Sequence, residues 1–436
     1  MKSVNQYVMK DSGVQWIGQV PEHWEVCKIK NICTYVNRGC APNYVENGTY
    51  YAMNQATFSK GFLDYSSLKF TTENRKSAQV LKQDILLAST GGGVLGKVWY
   101  YNDDVDLFYA VADVIILRVD PKENDARYLY YDLSIKYQLM NALFVNGSTN
   151  QIHLQRDLLK NHYIQCPPLA EQRAIADWLD AKCADIDAAI ELQQRMIDKL
   201  KAYKTAVIHQ AVTKGLDKNA TLKDSGVQWI GDVPEHWEVC KLSYCFNQIG
   251  SGTTPKYSEE VRGEEGIAWI QSGDLNDGVL KSTKHLLPKE VVSQYSVLKI
   301  YKQPFIVVAM YGASIGKTSL SLIDACTNQA CCVLADSKGD LQYSFYVMLS
   351  LKSLLIYLGI GGGQPNISQA IIKQQCIPLP PLAEQRAIAD WLDAKCADID
   401  SAIALKEQKQ EKLKAYKKTI IFEYATGKKQ VANINK

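Results

Sequence analysis

The chain has 436 residues, of which 47% are hydrophobic and 22% are charged, and its formal net charge is +3. This length predicts two to four domains with ordinary hydrophobic cores, and the small net charge neither indicates nor excludes a nucleic-acid partner. A membrane span is excluded in the most apolar window, 344–360, because Lys352 and several serines interrupt it. The N-terminus lacks the apolar core of a signal peptide. The twelve cysteines lack metal-ligand spacing and are expected to be buried thiols of a cytoplasmic protein.

An internal duplication sets the organisation. The stretch "DSGVQWIGQVPEHWEVCKI" (11–29) returns almost unchanged at 224–242, and "PPLAEQRAIADWLDAKCADIDAAI" (167–190) returns at 380–403. Both second copies begin 213 residues after the first. The chain is therefore predicted to be two copies of one unit, each with a short motif, a variable block and a long block.

In chain order, the first variable block (about 30–165) is rich in strand-forming residues. Its "DILLAST" and "KVWYY" are predicted strands, and "RYLYYDLSIKYQLMNAL" is a predicted short amphipathic helix. The second block (about 243–378) has the same plan, with strands in "FIVVAMYG" and "TSLSLI" and a helix in "YSFYVMLSLKSLLIYL". The two blocks share a plan but little sequence, which indicates similar binding functions directed at different targets.

Each variable block is followed by a long predicted helix. Residues 169–214 and 382–426 contain neither glycine nor proline, follow a Pro-Pro pair and end at Gly215 or Gly427. Apolar residues recur at alternating spacings of three and four, with polar residues such as Lys204 and Lys417 between them. This pattern predicts two coiled-coil helices, each about 70 Å long, that pack on each other.

Two glycine loops resemble nucleotide-binding loops but do not meet the requirements. "YGASIGKTS" (311–319) has three residues between Gly312 and Gly316 where four are needed, and "STGGGVLGKVWY" (89–100) has Val98 where a hydroxyl is needed. Because a strand-like segment follows each loop instead of a helix, both are predicted to be strand–turn–strand hairpins with an exposed lysine.

Two interpretations of the loops remain open: a glycine-rich turn with a solvated lysine, or a loop that the phosphates of a nucleic acid approach. The second gives candidate DNA-binding residues in the loops, and polar residues elsewhere are candidates for base contacts. The loop candidates are Thr90, Gly91, Gly92, Gly93 and Lys97 in the first block and Tyr311, Gly312, Ser314, Lys317 and Thr318 in the second, and the others are Asn54, Gln55, Lys256 and Gln271.

No catalytic or metal-binding group is predicted. The chain lacks the Asn-Pro-Pro-aromatic motif of amino-methyltransferases and the G-x-G-x-x-G pattern. His23 and His236, each in a "PEHW" motif, are predicted to be turn or packing residues because no acidic partner is evident beside them. The carboxylates of the two "ADID" stretches (Asp185, Asp187, Asp398, Asp400) are predicted to be solvated.

The two repeated motifs, "DSGVQWIG-VPEHWEV" and "PPLAEQRAIADWLD", resemble the specificity subunit of type I restriction–modification systems over nearly the whole chain. The resemblance implies an α+β fold, with two mixed α/β target-recognition domains separated by two long antiparallel coiled-coil helices in a pseudo-twofold duplication. The implied division is a first recognition domain at 1–166, a central long helix at 167–214, a second recognition domain at 215–379, a C-terminal long helix at 380–427 and a basic tail at 428–436. The family's G-x-x-x-G-K loop corresponds to Gly312–Lys317 and, with an extra glycine and Val98 as departures, to Gly92–Lys97.

The same resemblance implies the partners. They are double-stranded DNA with a bipartite, asymmetric site, two methyltransferase subunits that carry S-adenosylmethionine, and two restriction subunits that use ATP and magnesium. The chain itself would carry no cofactor and no catalytic group. Subunit-interface candidates lie in the motif that opens each long helix: Glu171, Gln172, Arg173, Trp178, Glu384, Gln385, Arg386 and Trp391.

One further expectation follows from the repeats, and one alternative function stays open. Because "MKDSG" at the N-terminus mirrors "LKDSG" at 222–226, the C-terminal helix is expected to end near the N-terminal motif, which makes the chain nearly circular. The alternative to DNA recognition is a coiled-coil scaffold whose two domains bind proteins or sugars.

Overall fold

The computed structural model describes residues 7–91, 93–105, 107–146, 153–256, 265–359 and 366–431. The chain divides into two compact units: unit 1 holds Met1–Gln193 with Gln408–Lys436, and unit 2 holds Gln194–Glu407. Each long helix contributes one part to each unit. The domain boundaries at 166, 214, 379 and 427 stay predictions.

Unit 1 is built on a main sheet with the antiparallel order β4-β11-β8-β9 and a smaller sheet with the order β10-β6-β7-β5. Its strands are β1 (Met9–Asp11), β2 (Gln19–Pro21), β3 (Glu25–Lys28), β4 (Cys33–Arg38), β5 (Tyr44–Val45), β6 (Tyr50–Met53), β7 (Lys69–Thr71), β8 (Ile85–Ala88), β9 (Val98–Tyr100), β10 (Phe108–Ala110), β11 (Val114–Val119), β12 (Val145–Asn146), β13 (His153–Leu154) and β14 (Tyr163–Cys166). Its helices are α1 (Ile29–Ile32), α2 (Gln55–Phe58), α3 (Ala126–Phe144), α4 (Arg156–Lys160) and the first part of α5 (Leu169–Lys214).

Unit 2 repeats this plan with a five-stranded sheet of order β18-β25-β22-β23-β20 and a smaller sheet of order β21-β19-β24. Its strands are β15 (Leu222–Asp224), β16 (Asp232–Pro234), β17 (Glu238–Lys241), β18 (Phe246–Gly250), β19 (Ile267–Ile270), β20 (Val279–Leu280), β21 (Leu286–Leu287), β22 (Phe305–Ala309), β23 (Thr318–Ser321), β24 (Ala325–Thr327), β25 (Cys331–Ser337) and β26 (Cys376–Leu379). Its helices are α6 (Leu242–Cys245), α7 (Lys289–Gln294), α8 (Leu341–Tyr357), α9 (Gln369–Gln374) and the first part of α10 (Leu382–Ala425).

The continuous apolar runs of the central strands reflect burial on both faces of the main sheet. In β8, Ile85 and Leu87 pack in the core that α3 covers, whereas Leu86 and Ala88 pack against the smaller sheet. In unit 2, β22 alternates in the same way between the core under α8 and the core under its smaller sheet. Both hairpins and both short helices were predicted from the sequence, and the structure confirms them.

The two long helices run antiparallel within each unit. In unit 1, Lys417 Nζ lies 2.8 and 2.6 Å from the Asp187 carboxylate oxygens, and Gln410 donates to the Ile190 carbonyl. The α10 residue number falls as the α5 residue number rises, which defines opposite directions. In unit 2, Lys204 lies 2.7 Å from both Asp400 oxygens.

These ion pairs refine two predictions about the long helices. The lysines that interrupt the apolar stripe bridge the helix pair. Asp187 and Asp400 are exposed, as predicted, and each is in addition paired with a lysine of the other long helix. All four side chains stay partly exposed, and such pairs contribute about 0–1 kcal/mol each.

The end of α10 packs on the N-terminal motif within unit 1, as the mirrored motifs predict. Trp24 shares a hydrophobic cluster with Ile420, Ile421 and Ala425. The Tyr128 hydroxyl donates to the Ala425 carbonyl at 2.8 Å. Among the described residues, no helix is long and apolar enough to cross a membrane.

Candidate nucleic-acid interface

The two glycine loops occupy the same place in the two units. β8 pairs with β9 (Leu87 with Val98), and β22 pairs with β23 (Val308 with Thr318), so each loop is the turn of a hairpin. The glycine before each lysine has a positive φ, 83° at Gly96 and 75° at Gly316, a conformation that only glycine adopts without strain. The Gly-Lys pair is therefore a turn signal, and no helix N-terminus follows to bind a phosphate as in nucleotide-hydrolysing enzymes.

Several other segments meet these loops at one edge of each main sheet. Antiparallel neighbours alternate in direction, so the end of β4, the start of β11, the end of β8 and the start of β9 share an edge in unit 1. In unit 2 the corresponding ends are those of β18, β25, β22 and β23. We call this the loop edge of each unit.

A tight crossing joins the loop edge to the smaller sheet in both units. A Cβ on Gly39 would lie 2.0 Å from the Ala110 carbonyl oxygen, and one on Gly252 would lie 1.7 Å from that of Thr327. Only glycine fits such an approach. The Val111 N–H donates to the Met53 carbonyl at 3.1 Å, so the end of β6 also reaches the loop edge.

In unit 1 the structure brings the sequence-predicted residues together. The Thr90 hydroxyl donates to Gln55 Oε1 at 3.1 Å, and Gly91 lies beside the same glutamine. Lys97 Nζ donates to the Ser59 carbonyl at 2.8 Å and the side chain is half-buried, so the lysine that was predicted to be exposed is only partly so. Gly93 is exposed, and Gly92 lies outside the described residues.

Asn54 has a structural role in addition to its place at this edge. Its Oδ1 accepts from the Ala56 and Thr57 N–H groups at 2.8 and 3.2 Å and caps α2. The amide oxygen of Asn54 is thus occupied within the chain, as is that of Gln55.

In unit 2 the loop presents Tyr311, which is 44% exposed, followed by one turn of 3₁₀ helix at Gly312–Ser314. Lys317 is half-buried, so here too the predicted lysine is only partly exposed, and its Nζ makes no hydrogen bond or ion pair with another described residue. Thr318 is completely buried and its hydroxyl donates to the Gly316 carbonyl at 3.2 Å, so this candidate faces the core and not the surface.

The two remaining candidates of unit 2 lie beside the loop edge. Lys256 is exposed on the segment that follows β18. Gln271 begins the turn Ser272–Asp274, and its backbone N–H donates to Asp274 Oδ2 at 2.9 Å. A base-contacting or phosphate-contacting role for any of these residues stays a prediction.

Sequence reasoning missed the loop between β24 and β25, which also lies at the loop edge of unit 2. The Asn328 N–H donates to the Ile270 carbonyl at 3.1 Å, and the Met310 N–H donates to the Ala330 carbonyl at 2.8 Å. The Asn-Gln pair before a buried strand was a turn signal. Its position was not readable, because strand order decides which loops share an edge.

The buried carboxylate of Asp84 and its partner Arg118 lie away from this edge. Arg118 donates to both Asp84 oxygens, at 2.6 and 2.7 Å, near the start of β8 and therefore at the opposite end of the strand. Burial raises the pKa of Asp84, although the hydrogen bonds from Arg118 oppose that shift. The Arg118 charge is neutralised by Asp84 and is not available to a ligand at the loop edge.

The motif that opens each long helix mainly makes contacts inside the chain. Gln172 Oε1 accepts from the Asp125 N–H at 2.9 Å and its Nε2 donates to the Pro167 carbonyl. Gln385 repeats both contacts with Asp340 and Pro380. The glutamines hold each long helix against the helix before it. They are therefore buried and do not provide the exposed partner surface that was predicted for them.

The glutamates of this motif bind the "PEHW" histidines. Glu171 Oε2 lies 2.8 Å from His23 Nε2, and Glu384 Oε1 lies 2.6 Å from His236 Nε2. Both histidines lie in turns, as predicted, but they are exposed, and the expectation that they have no acidic partner was wrong. The acidic partner, absent from the local sequence, is supplied by a helix 148 residues further along the chain.

The arginines and tryptophans of the motif differ between the copies. Trp178 stacks on Tyr424 with a centroid distance of 3.9 Å, whereas Trp391 is 42% exposed. Arg173 is exposed and donates to the Pro121 carbonyl at 3.0 Å, and Arg386 is exposed. Within the described ranges, no group of three His, Cys, Asp or Glu side chains could hold a metal ion.

Two units that each present a different set of loops from the same frame, joined to paired long helices, define a duplicated recognition protein. The family model for the type I restriction modification DNA specificity domain matches residues 21–202 and again 234–415. The chain therefore belongs to this family and carries two copies of its domain.

Individual relatives agree with the family match. The chain is 29% identical over 431 residues to the type I restriction enzyme MjaVIII specificity subunit of Methanocaldococcus jannaschii, covering 96% of this chain and 95% of that one. It is 28% identical over 420 residues to the EcoKI specificity subunit of Escherichia coli, covering 88% and 84%. A solved chain from work on the assembly and conformational transition of the type I R-M system has a TM-score of 0.71 at 16% identity, covering 93% and 98%, which indicates the same fold.

Proposed function

We propose that this chain reads a bipartite, asymmetric site in double-stranded DNA, with one unit on each half-site, and recruits methyltransferase and restriction subunits to it. The observation that carries the proposal is the loop edge, which recurs in both units with the same connections and different side chains. A repeated frame suits two half-sites of one duplex. Different side chains on the repeated frame suit two half-sites of different sequence.

Two kinds of contact are expected at each loop edge. Lysines of the glycine loops, above all Lys317, meet phosphates and set affinity without reading sequence. Neutral polar side chains such as Gln55 and Gln271 are suited to base edges, because glutamine amides pair with donor and acceptor groups in the major groove.

The chemistry belongs to the partner subunits in this proposal. Methyltransferase subunits would carry S-adenosylmethionine and methylate adenine, and restriction subunits would use ATP and magnesium. Two copies of each partner suit a chain with two copies of the helix-opening motif. Arg386 and Trp391, which remain exposed, are the parts of that motif best suited to a partner contact.

Sequencing of modified bases tests the proposal directly. The chain is coexpressed with its cognate methyltransferase subunit in cells that lack other adenine methylation. We expect N6-methyladenine at one bipartite motif with a fixed unspecified gap, the marked adenines lying about one DNA turn apart. A single contiguous motif would contradict the assignment of one unit to each half-site, and the absence of any sequence-selective DNA binding would favour the scaffold alternative.

A pair of block exchanges assigns the half-sites. Replacing residues 30–165 with the corresponding block of another family member is expected to change one half of the motif and leave the other unchanged. Replacing residues 243–378 is the matched experiment and should change the opposite half. A change in both halves from either exchange would contradict independent recognition by the two units.

A further inference from the structure

One exposed amide stands out at the loop edge of unit 2. Gln329 lies in the three-residue loop between β24 and β25, and the residues on either side of that loop, Thr327 and Cys331, are completely buried. The loop lies directly beside the glycine loop, because Met310 and Ala330 are joined by a backbone hydrogen bond. Gln329 is therefore an exposed polar side chain on a short, anchored support.

The backbone around Gln329 is held from three sides. The Asn328 N–H donates to Ile270 at the end of β19, Ala330 accepts from Met310, and Asn328 Oδ1 accepts from the Ala330 N–H at 3.1 Å. A loop tied in this way loses little conformational entropy when a ligand binds it.

The side chain of Gln329 is oriented as well. The Thr254 hydroxyl donates to Gln329 Oε1 at 2.6 Å. With Oε1 turned toward Thr254, the amide nitrogen lies on the other side of the amide group. Gln329 Nε2 makes no hydrogen bond with another described residue. The amide nitrogen is thus a donor held in position, and it can bind an acceptor atom of a ligand.

Unit 1 has the same loop without this group. The Val111 N–H donates to Met53 at the end of β6, as Asn328 donates to Ile270 at the end of β19, so the two loops correspond. The next residue is Ala112 in unit 1 and Gln329 in unit 2. A shared support with a different side chain is the arrangement that distinguishes two half-sites.

We propose that Gln329 is a specificity-determining residue of unit 2, donating from Nε2 to an acceptor on a base edge of the half-site that this unit reads, and that Thr254 is its positioning residue. The inference rests on the proposed function. The acceptors of this class in the major groove are the N7 and O6 atoms of guanine, the N7 of adenine and the O4 of thymine.

The test compares full-length chains, each coexpressed with the methyltransferase subunit, by sequencing of modified bases. Gln329→Ala is expected to make one position of one half-site degenerate, with discrimination there reduced about tenfold or more. Thr254→Val, which keeps the amide but removes its hydrogen bond, should relax the same position to a smaller degree. Asn247→Ala removes an exposed amide that donates to Asp336 from near the start of β18, at the opposite edge of the sheet, and should leave the motif unchanged.

A second measurement separates base contact from general affinity. Binding of the purified complex to duplexes altered at the relaxed position is measured across salt concentrations. Gln329→Ala should leave the salt slope unchanged, since a neutral amide releases no counterion. An unchanged motif in Gln329→Ala, or a uniform loss of binding to every sequence, would overturn the proposal.

A variant that fails to fold is recognised by thermal unfolding of the complex. In that case Gln329→Asn, which keeps the amide on a shorter side chain, replaces it and must still alter the preference at one position. Failure of the proposed function has a different signature, because the wild-type chain would then give no bipartite motif.

Discussion

Units 1 and 2 fill equivalent interior positions with different chemistry. Unit 1 buries the pair Asp132 and Lys136 on α3, with Lys136 Nζ 2.7 Å from the carboxylate and 2.7 Å from Gln165 Oε1. The aligned positions of α8 hold Val347 and Leu351, both completely buried.

The helices α3 and α8 are aligned by their shared tyrosine contacts. Tyr131 and Tyr346 both donate to an aspartate of the following long helix, Asp180 and Asp393 respectively.

A second pair of equivalent positions, in the main sheets, also differs in chemistry between the two units. Asp84, which is completely buried, forms an ion pair with the partly buried Arg118 in unit 1. By sheet register, the corresponding residues of unit 2 are Phe305 and Ala335, which are buried and apolar. The frame thus accepts either a satisfied ion pair or an apolar packing, which agrees with the near balance between desolvation and attraction in buried pairs. Divergence of the inserts therefore extends into the cores and is not confined to the loops.

The largest effect is expected when one partner of the buried pair Asp132 and Lys136 is removed. Lys136→Leu, which copies Leu351, leaves the Asp132 charge buried without its partner and should lower the free energy of unfolding of unit 1 by about 3–5 kcal/mol. Adding Asp132→Val, which copies Val347, should restore the stability or exceed it by about 1–4 kcal/mol. Urea unfolding followed by hydrogen exchange resolved by unit measures both changes. If the double variant were as unstable as the single one, the equivalence of the two cores would be wrong.

The second largest effect is a pH dependence of the stability of unit 1. Burial lowers the pKa of His162 to about 3, and the corresponding residue of unit 2 is Gln375. The unfolded histidine has a pKa of about 6.5. The unfolded state therefore binds more protons between these values, and stability is lost as the pH falls below about 6.5.

His162→Gln copies unit 2 and should remove this loss, which amounts to about 2 kcal/mol at pH 5. Hydrogen exchange of unit 1 at pH 7.5 and pH 5 is the measurement, and unit 2 in the same sample is the control. If wild type and variant lost the same stability in acid, His162 would not be the cause of the loss, and the prediction would be wrong.

A smaller effect concerns the helix pair. Tyr424→Ala removes the ring that stacks on Trp178 and should destabilise unit 1 by about 1–2 kcal/mol. Tyr416→Ala is the matched control, because Tyr416 is 55% exposed on the same helix. Thermal unfolding monitored by tryptophan fluorescence distinguishes the two variants. Equal melting temperatures would mean that the stacking contributes nothing, and that Trp178 and the exposed Trp391 are equivalent after all.

The smallest effect compares the two loop lysines within the proposed function. Lys317→Ala should lower the salt slope of DNA binding by about one without changing the motif, whereas Lys97→Ala should lower it less because its Nζ already binds Ser59. Lys302→Ala is the control, since Lys302 pairs with Asp324 near the other edge of the sheet. A changed base preference in Lys317→Ala would mean that this loop reads bases and not phosphates.

The sequence predicted those elements whose signals are local. The strands around each glycine loop, the short helices of the variable blocks and the long helices follow from residue periodicity and from proline and glycine at their ends. The roles of Gln172, Gln385 and Thr318 were not predictable. Each has the polarity of a surface residue, and each is satisfied inside the fold by a partner distant in sequence or by a turn of the backbone.

The duplication, the family resemblance and the two long helices were determined by the amino-acid sequence, because repeats and helix periodicity are properties of the linear chain. The antiparallel direction of the long helices was implied by the resemblance, and the contacts between them establish it. Tertiary structure alone decided which loops share an edge, and so it placed Gln329 beside the glycine loop and gave His23 and His236 their acidic partners. Strand order and the packing of distant segments create these contacts. A local pattern carries no record of them, because each depends on residues that only folding brings together.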